Sequence, residues 1–406
     1  MAKNLVCILS RLPYPPLSGD KITGYHLLKT LAKQYDVHTV IVTEESITKE
    51  TEDFIDSVSK SYKVFTHPEL WFYFNDLKSL QNKLPLQINH YFLQEAYYYV
   101  SSISRACDVG VAALTRTARY LVSNPIPKVL VMTDSVGQNY KNSYQRTKSL
   151  FWKEIYKAEY PKLLKYEQKM IDEYDKTILV DKNQITFFEN QEKLLWVPYG
   201  AGDHLDQYHK KDLKYKDYVA FLGRMDYQPN VDAVLWFNEK VLPLLDPRLK
   251  FIIIGSKPSK SVLELEKNHP NIEVTGFLDD PYLILNSCHC MVAPMQSGGG
   301  IQNKVLENMA LGALTFTTYL SGRPIVNEVN NKYLVMEDDP VQMAKLINDA
   351  LYHPEKYEPI KRAAKEYIKT YFNWDLYEQK MLTAIEEVIK RKAEPSFQFQ
   401  RTFDKN

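Results

Sequence analysis

The stretch Ser297-Gly298-Gly299-Gly300-Ile301-Gln302-Asn303-Lys304-Val305-Leu306-Glu307-Asn308-Met309-Ala310-Leu311-Gly312 decides the fold. It follows a short apolar run at 288–294, which predicts a buried strand, and its own apolar residues then recur at helical spacing. The predicted order is strand, glycine loop, helix. Glycines at the start of a helix let the backbone approach a ligand, and the free N–H groups there favour an anion such as phosphate.

Two charged residues of this stretch suggest what the ligand could be. Lys304 and Glu307 are three positions apart, so they lie on one face of the predicted helix. A lysine can neutralise phosphate, and a carboxylate can accept hydrogen bonds from hydroxyl groups, which together suit the diphosphate and ribose of a nucleotide sugar. A glycine-rich turn before an ordinary amphipathic helix is the alternative, because short glycine motifs alone are weakly specific.

Length and composition limit the class of protein. The chain has 406 residues, which favours two or three domains, and 45% hydrophobic with 25% charged residues is typical of a soluble globular protein. A net charge of +1 gives no general attraction to nucleic acid. Four cysteines, expected to be reduced, the lack of a signal-peptide pattern and the lack of a long apolar run predict a cytoplasmic location.

The pair Cys288 and Cys290 with His289 between them could suggest a metal site. Alternation along a strand would point His289 away from both cysteines, and the sequence offers no second pair of ligands. We therefore expect no metal.

The first half begins as a doubly wound parallel sheet. The pattern predicts a strand at 5–12, a loop at 13–21, a helix at 22–34 and a strand at 37–43. Loops at the carboxyl ends of such strands bind ligands, so the loop at 13–21 is a candidate site, although it could be a plain proline-rich connection. A later strand ends at Asp134, which places a carboxylate at the same edge.

A long helical tract is predicted at about 139–175, and part of it is basic and aromatic. Residues 141–170 contain eight Lys or Arg against three Glu, interleaved with Phe, Trp and Tyr. Such a helix can lie on an anionic membrane surface. The alternative is a solvated helix whose aromatic residues belong to the core.

A second series of alternating strands and helices begins near residue 218. The sequence therefore predicts five parts: a first Rossmann-like domain at 1–200, a linker at 201–216, a second Rossmann-like domain at 217–372, a helix at 373–392 that crosses back to the first domain, and a polar, disordered tail at 393–406.

Two such halves, with the glycine loop late in the second, resemble a GT-B glycosyltransferase. The second half resembles glycosyltransferase family four, or glycosyl transferases group 1, and bacterial sugar transferases of exopolysaccharide gene clusters are the nearest pattern. The residues that carry the resemblance are 221–237, 274–277, 292–294 and 300–312, with 11–16, 19–21 and Asp134-Ser135 in the first half. They span nearly the whole chain and are densest from 218 to 312.

The resemblance implies an α/β fold of two domains facing each other across a cleft, and it implies roles for single residues. Arg224 would meet the donor diphosphate and Glu307 the ribose hydroxyl groups. The backbone at Phe277 and Leu278 would read the nucleobase, and Gly19 would lie near the reacting sugar.

The sequence also departs from the family pattern. Gly299 stands where the first glutamate of the Glu-x7-Glu motif is expected. The second phosphate-binding cation that the family usually has a few residues after Arg224 is missing, since residues 228–230 are uncharged. We therefore expect Lys304 to supply the second positive charge. The residues at 114–117 lack the usual histidine, so Asp134 or Arg116 is expected to contribute instead.

The activity implied is retaining transfer of a sugar from a nucleotide-sugar donor to a glycan or lipid-linked acceptor in surface polysaccharide or glycoconjugate synthesis. The departing diphosphate oxygen itself can deprotonate the acceptor hydroxyl, so the protein has to neutralise the leaving group and needs neither metal nor cofactor. The candidate site residues fall in three groups: catalytic Arg224, Lys304 and Asp134; donor-binding Gly19, Phe277, Leu278, Gly298, Gly299, Gly300, Ile301, Gln302 and Glu307; and acceptor-side Asp20, Lys21 and Arg116.

The departures support one alternative, a non-catalytic GT-B protein that binds a glycan or a partner. The other alternative is a GT-B sugar-nucleotide epimerase, which would need no acceptor. The basic tract at 141–170 adds the expectation of peripheral contact with the inner face of the membrane.

Overall fold

The structure is a computed structural model that describes residues 2–16, 19–147, 149–202, 205, 207–327 and 331–393. Its described residues form two parallel sheets in succession. The first sheet has seven strands in the order β3-β2-β1-β4-β5-β6-β7. These are β1 Lys3–Leu9, β2 Tyr35–Thr43, β3 Ser61–Thr66, β4 Val109–Ala113, β5 Lys128–Thr133, β6 Lys176–Leu179 and β7 Leu194–Trp196.

Helices cover both faces of the first sheet, which is why its central strands are apolar on both sides. They are α1 Gly19–Ala32, α2 Lys49–Val58, α3 Glu69–Asp76, α4 Ser79–Asn82, α5 Leu86–His90, α6 Gln94–Ile103, α7 Val136–Arg146 and α8 Leu150–Glu173. Short 3-10 helices lie at Ser104–Ala106, Thr115–Tyr120, Lys182–Phe187 and Gln191–Lys193.

Two helix predictions in this half were wrong at their boundaries. Helix α1 begins at Gly19 rather than at 22, so Asp20 and Lys21 lie in its first turn. The tract expected as one helix at 139–175 is two, because the Ser135 side chain caps the start of α7 and the Ser149 side chain accepts a hydrogen bond from Trp152 N at the start of α8.

The second sheet has six parallel strands in the order β10-β9-β8-β11-β12-β13. They are β8 Tyr218–Leu222, β9 Lys250–Ile254, β10 Ile272–Gly276, β11 Cys290–Ala293, β12 Thr315–Thr317 and β13 Val335–Met336. The helices are α9 Gln228–Lys240, α10 Lys260–Asn268, α11 Tyr282–Leu285, α12 Asn303–Leu311, α13 Tyr319–Gly322, α14 Pro340–Tyr352 and α15 Glu358–Tyr371, with 3-10 helices at Leu213–Tyr215, Leu242–Leu244 and Pro354–Lys356.

Both sheets reverse their strand order at one point, between β1 and β4 in the first and between β8 and β11 in the second. Ligands of doubly wound sheets bind outside the carboxyl ends of the strands at such points. The fold class predicted from the sequence, two Rossmann-like domains, is confirmed.

The last helix, α16 Trp374–Ala393, leaves the second domain and packs on the first. Its buried residues Tyr377, Met381 and Ile385 belong to the same apolar cluster as Leu5 and Cys7 of β1. Ion pairs from Lys3 to Glu386 and from Lys33 to Glu378, at 2.8 and 2.6 Å, hold the same helix. The crossing helix expected at 373–392 is therefore present, and the predicted tail from 394 onwards lies outside the described residues.

The linker predicted at 201–216 contains described residues that pack on the second domain. Ala201 and Leu205 are buried in the core cluster of that domain, and Tyr208 donates a hydrogen bond of 2.8 Å to Asp280. Throughout the ranges given above, no helix combines the length and apolar character that crossing a bilayer requires.

Candidate functional site

A cavity of about 630 Å³ lies between the two domains, at the carboxyl ends of both sheets. Its wall contains residues from both points where strand order reverses. The first domain contributes Gly19, Asp20, Gln87, Leu114, Thr115, Arg116, Met132, Asp134 and Val136, and the second contributes Arg224, Tyr227 and Asn230. Five of the candidates from the sequence, Gly19, Asp20, Arg116, Asp134 and Arg224, are thus brought together.

The end of β5 turns sharply to present Asp134. Thr133 has a φ of 75°, and Leu114 at the end of neighbouring β4 has a φ of 72°, which is a left-handed conformation that residues other than glycine rarely adopt. Such strain is concentrated at functional sites. Asn139 Nδ2 donates a hydrogen bond of 2.7 Å to Asp134 Oδ2, while burial raises the pKa of this carboxyl above its usual value.

A second buried carboxylate holds this turn in place through hydrogen bonds. Glu167 of α8 accepts hydrogen bonds from Ser135 Oγ at 2.6 Å and from Gly137 N at 3.2 Å, and burial raises its pKa to about 7. It therefore anchors the start of α7, which carries Asn139. Sequence reasoning missed Glu167 and Asn139, because in the sequence they are only a charge and an amide on helical segments.

The acceptor-side candidates separate into two groups. Asp20 Oδ2 lies 3.3 Å from Arg116 Nη2 and 3.4 Å from Arg11 Nε, and the Arg116 guanidinium lies 4.5 Å from the centre of the Tyr91 ring. Asp20 and Arg116 thus form a charged part of the cavity wall, and Arg11 and Tyr91 contact them from outside it. Lys21 instead pairs with Glu45, and the cavity wall formed by the described residues does not include it.

Arg224 stands directly after β8 on the second-domain wall. Its Nε and Nη2 donate to the two carboxylate oxygens of Asp226 at 2.9 and 3.3 Å, and about half of its side chain is exposed. The guanidinium is thus oriented by a neighbour and open to solvent, so an anion in the cavity can reach it.

Lys304 of α12 is buried behind that wall. Its Nζ donates to Asn230 Oδ1 at 2.6 Å and lies 4.2 Å from the centre of the Phe221 ring. Gly223 makes room for it, since a Cβ atom there would lie 3.0 Å from Nζ. Burial lowers the pKa of Lys304 to about 7, although the charge of Glu307 opposes that shift.

Glu307 lies one turn further along α12. Burial raises its pKa to about 7, opposed by Lys304 and by a hydrogen bond from the Tyr282 side chain. Phe277, two thirds exposed, and partly buried Leu278 follow the turn at the end of β10. Among the described residues, neither belongs to the cavity wall, so this side of α12 is a separate surface next to the cavity.

The glycine loop touches the first domain. Gly298 and Gly300 have φ values of +91° and +71°, and α12 begins only at Asn303, because Gln302 has an extended backbone. Ile301 and Gln302 therefore belong to the loop rather than to the helix. A Cβ atom on Gly299 would collide with Asn139, and one on Gly300 with Asp134.

Two further points concern possible metal ligands and the wall residues that sequence analysis did not single out. Within the described ranges, no group of three or more His, Cys, Asp or Glu residues could hold a metal ion. His289 Nε2 lies 3.0 Å from the carbonyl oxygen of Ile347, so the ring has a structural partner. The sequence reading gave no role to Gln87 or Tyr227, and it took Asn230 only as the place of a missing cation.

Comparison with known proteins agrees with this arrangement. Residues 216–353, which include Arg224, the glycine loop and Glu307, match the family model described as glycosyl transferases group 1. HepE from Anabaena, solved with UDP-glucose, has 13% sequence identity and a TM-score of 0.64 over 95% of this chain and 100% of its own. The chain has the GT-B fold, and its second domain is similar to the glycosyl transferases group 1.

Other structures share the GT-B architecture over nearly their whole length. Sucrose-phosphate synthase from Thermosynechococcus elongatus has 12% identity and a TM-score of 0.68, with 96% of this chain and 100% of that chain covered. WaaG, a glycosyltransferase involved in lipopolysaccharide biosynthesis, has 13% identity and a TM-score of 0.63, with 93% and 98% covered. Identities this low establish the fold alone. No curated protein matches the sequence significantly.

Proposed function

We propose that this GT-B protein is a retaining glycosyltransferase that moves a sugar from a nucleotide-sugar donor to a glycan or lipid-linked acceptor in surface polysaccharide or glycoconjugate synthesis. One observation carries the proposal: a single interdomain cavity has the guanidinium of Arg224 on one wall and the carboxylate of Asp134 on the other. The UDP-glucose complex of HepE supports a nucleotide-sugar donor, and the role of WaaG supports a polysaccharide product.

The donor would bind mainly to the second domain. Arg224 would exchange Asp226 for the diphosphate, and Lys304, which is bonded to Asn230 of the wall, would add a second positive charge from behind it. Glu307 would accept hydrogen bonds from the ribose, and the backbone at 277–278 would meet the base. Fixed cations in a site shielded from water stabilise a leaving diphosphate without reorganisation.

The chemistry would need no side-chain base. The bond between the anomeric carbon and the diphosphate oxygen breaks while the acceptor oxygen bonds to the same carbon on the same face. The proton of the acceptor hydroxyl passes to the departing diphosphate oxygen. Asp20 and Arg116 would orient the acceptor, and contact between the two domains would hold both substrates close and exclude water.

The acceptor would reach the cavity from an apolar surface of the first domain. A second cavity of about 420 Å³ is lined by Leu86, Phe151, Glu154, Ile155, Ala158 and Glu159. Leu86 of this cavity is followed in the chain by Gln87, which lines the main cavity.

The consecutive residues Leu150, Phe151 and Trp152 at the start of α8 are all at least half exposed, and Lys153 and Lys157 follow them. An exposed apolar tip beside lysines suits the interface of an anionic bilayer. We therefore include peripheral membrane contact through 141–170 in the proposal, with the lipid of the acceptor in the membrane and its head group in the cavity.

The test is turnover of nucleotide sugars. The protein is incubated with UDP-, GDP- and ADP-sugars, with and without a bacterial lipid and glycan extract, and nucleoside diphosphate and sugar products are quantified. Acceptor-dependent release of nucleoside diphosphate with a retained anomeric configuration is the expected result. A new sugar nucleotide or a free epimerised sugar without any acceptor product would indicate an epimerase, and binding without turnover would indicate a non-catalytic protein.

A further inference from the structure

Two glycines of the loop lack space for side chains because polar groups of the other domain occupy it. A Cβ atom on Gly299 would collide with the side-chain amide of Asn139, and one on Gly300 would collide with the carboxylate of Asp134. Gly300 also needs its φ of +71°. The φ of Gly299 is not positive, so its backbone would accept other residues. The contact with Asn139 is what limits the size of the side chain at this position.

The two groups of the first domain act as one unit. Asn139 Nδ2 donates to Asp134 Oδ2 at 2.7 Å, and Ser135 with Glu167 fixes the helix start between them. Asp134 also belongs to the wall of the interdomain cavity. Burial raises the pKa of Asp134, and the hydrogen bond from Asn139 opposes that shift.

We propose that the Asp134–Asn139 pair binds the sugar of the donor. The pair occupies the space that a side chain at Gly299 or Gly300 would fill, and it takes over the contact with the sugar that such a side chain would make. The inference rests on the proposed function and names the part of the donor that the pair binds. A carboxylate and an amide are suited to adjacent hydroxyl groups, because together they accept and donate hydrogen bonds.

The position of the Asp134–Asn139 pair links recognition of the sugar to contact between the two domains. Arg224 and Asp134 face the same cavity from opposite domains, so a sugar attached to a diphosphate at Arg224 extends towards the pair. The nucleotide would contact only the second domain. The sugar is therefore recognised only when the two domains are in contact, which couples correct donor binding to closure of the site.

The first test compares nucleotides with their sugars. UDP and UDP-glucose, GDP and GDP-mannose, and ADP and ADP-glucose are titrated into wild type, Asp134→Asn and Asn139→Ala by calorimetry, with circular dichroism as the check of folding. In both variants the dissociation constant of the bare nucleotide is expected to stay unchanged, while the extra affinity given by the sugar falls on the order of 10-fold. Equal losses for nucleotide and sugar nucleotide, or no loss in either, would overturn the inference.

The second test uses the contact between Asn139 and Gly299. Gly299→Ala should lower kcat/KM on the order of 10-fold by displacing the Asn139 amide from its place beside Asp134, and the double variant with Asn139→Ala should not be worse than Asn139→Ala alone, since the colliding atoms are gone. If the loss of kcat/KM in the double variant equals the losses of the two single variants combined, the inference is overturned. Failure of wild type to bind any of the three nucleotides would instead refute the proposed function, so the two failures are distinguishable.

Discussion

Lys304 Nζ donates a hydrogen bond of 2.6 Å to Asn230 Oδ1, a residue of the cavity wall, although the lysine itself is buried in the second domain. An ammonium has three N–H groups, and the partners that the described residues offer Lys304 Nζ are the Asn230 oxygen and the weakly accepting Met295 sulfur at 3.9 Å. An anion in the cavity would complete this environment. This relationship is the physical basis of the predictions for the donor site.

Replacing the two cations should abolish most transfer and leave the fold intact. Lys304→Met keeps the buried volume and removes the charge, and Arg224→Ala removes the exposed cation. Each should lower kcat by about 10²-fold or more, because each charge stabilises the leaving diphosphate. Initial rates measure the effect, and circular dichroism checks the fold.

The matched control for these variants is Lys257→Ala. Lys257 lies 3.9 Å from the same Asp226 that orients Arg224, but most of its side chain is in solvent. Its loss should change the rate by less than about twofold, since exposed charges at such distances contribute little. A loss equal to that of Lys304→Met would show that general charge, and not the buried lysine, matters.

Nucleotide affinity should fall as the pH rises above about 7. Burial lowers the pKa of Lys304 to about 7, so at pH 8.5 the free protein holds this amine mostly neutral. A bound diphosphate stabilises the charged form and raises that pKa, so binding must take up a proton at high pH. Titration calorimetry in buffers of different ionisation enthalpy measures the uptake. In Lys304→Met the uptake should vanish, and an equal uptake in that variant would assign the proton to another group.

Glu307→Gln should weaken nucleotide binding without preventing folding. The carboxylate lies next to Tyr282 and Lys304, and the amide keeps its shape while accepting fewer hydrogen bonds from ribose hydroxyl groups. A loss of affinity of about 10-fold is expected by calorimetry. The comparison that isolates the ribose is a titration with the 2′-deoxy nucleotide, whose affinity should differ less between variant and wild type. Equal losses for both nucleotides would show that Glu307 does not contact that hydroxyl.

Exposed aromatic residues at the start of α8 should bind membranes. Phe151→Glu and Trp152→Glu should abolish co-flotation with vesicles of phosphatidylcholine and phosphatidylglycerol, because charges replace the residues that enter the interface. Nucleotide binding should stay at the wild-type level. Phe187→Glu, an exposed aromatic position elsewhere on the first domain, is the control. Wild-type protein that stays with the soluble fraction would remove the membrane from the proposal.

The sequence predicted the alternation of strands and helices because buried parallel strands leave short apolar runs, such as those at 5–12 and 218–223, that are separated by helical spacing. The segments that carry Gly19, Asp134 and Arg224 could be located for the same reason, since each follows such a strand. Element boundaries near residue 148 could not, because a single serine cap there starts a new helix in an otherwise helical pattern.

The contacts across the cleft were beyond sequence reasoning. Asn139 and Gly299 come from different domains, and only the packing of the two domains reveals that one fills the space beside the other. Helical spacing placed Lys304 and Glu307 on one face of their helix, and in the structure each affects the pKa of the other. The burial of Lys304 depends on Gly223 and Phe221 of a different strand and loop, which helical spacing does not report.

Nucleotide binding is the most direct test of the donor site. Thermal unfolding is followed with UDP, GDP, ADP and CMP, for wild type and for Arg224→Ala. The proposed function predicts a clear rise of Tm with one nucleoside diphosphate and the loss of that rise in Arg224→Ala. No rise with any of the four nucleotides, or a rise that Arg224→Ala retains in full, would contradict a nucleotide-sugar site in this cavity.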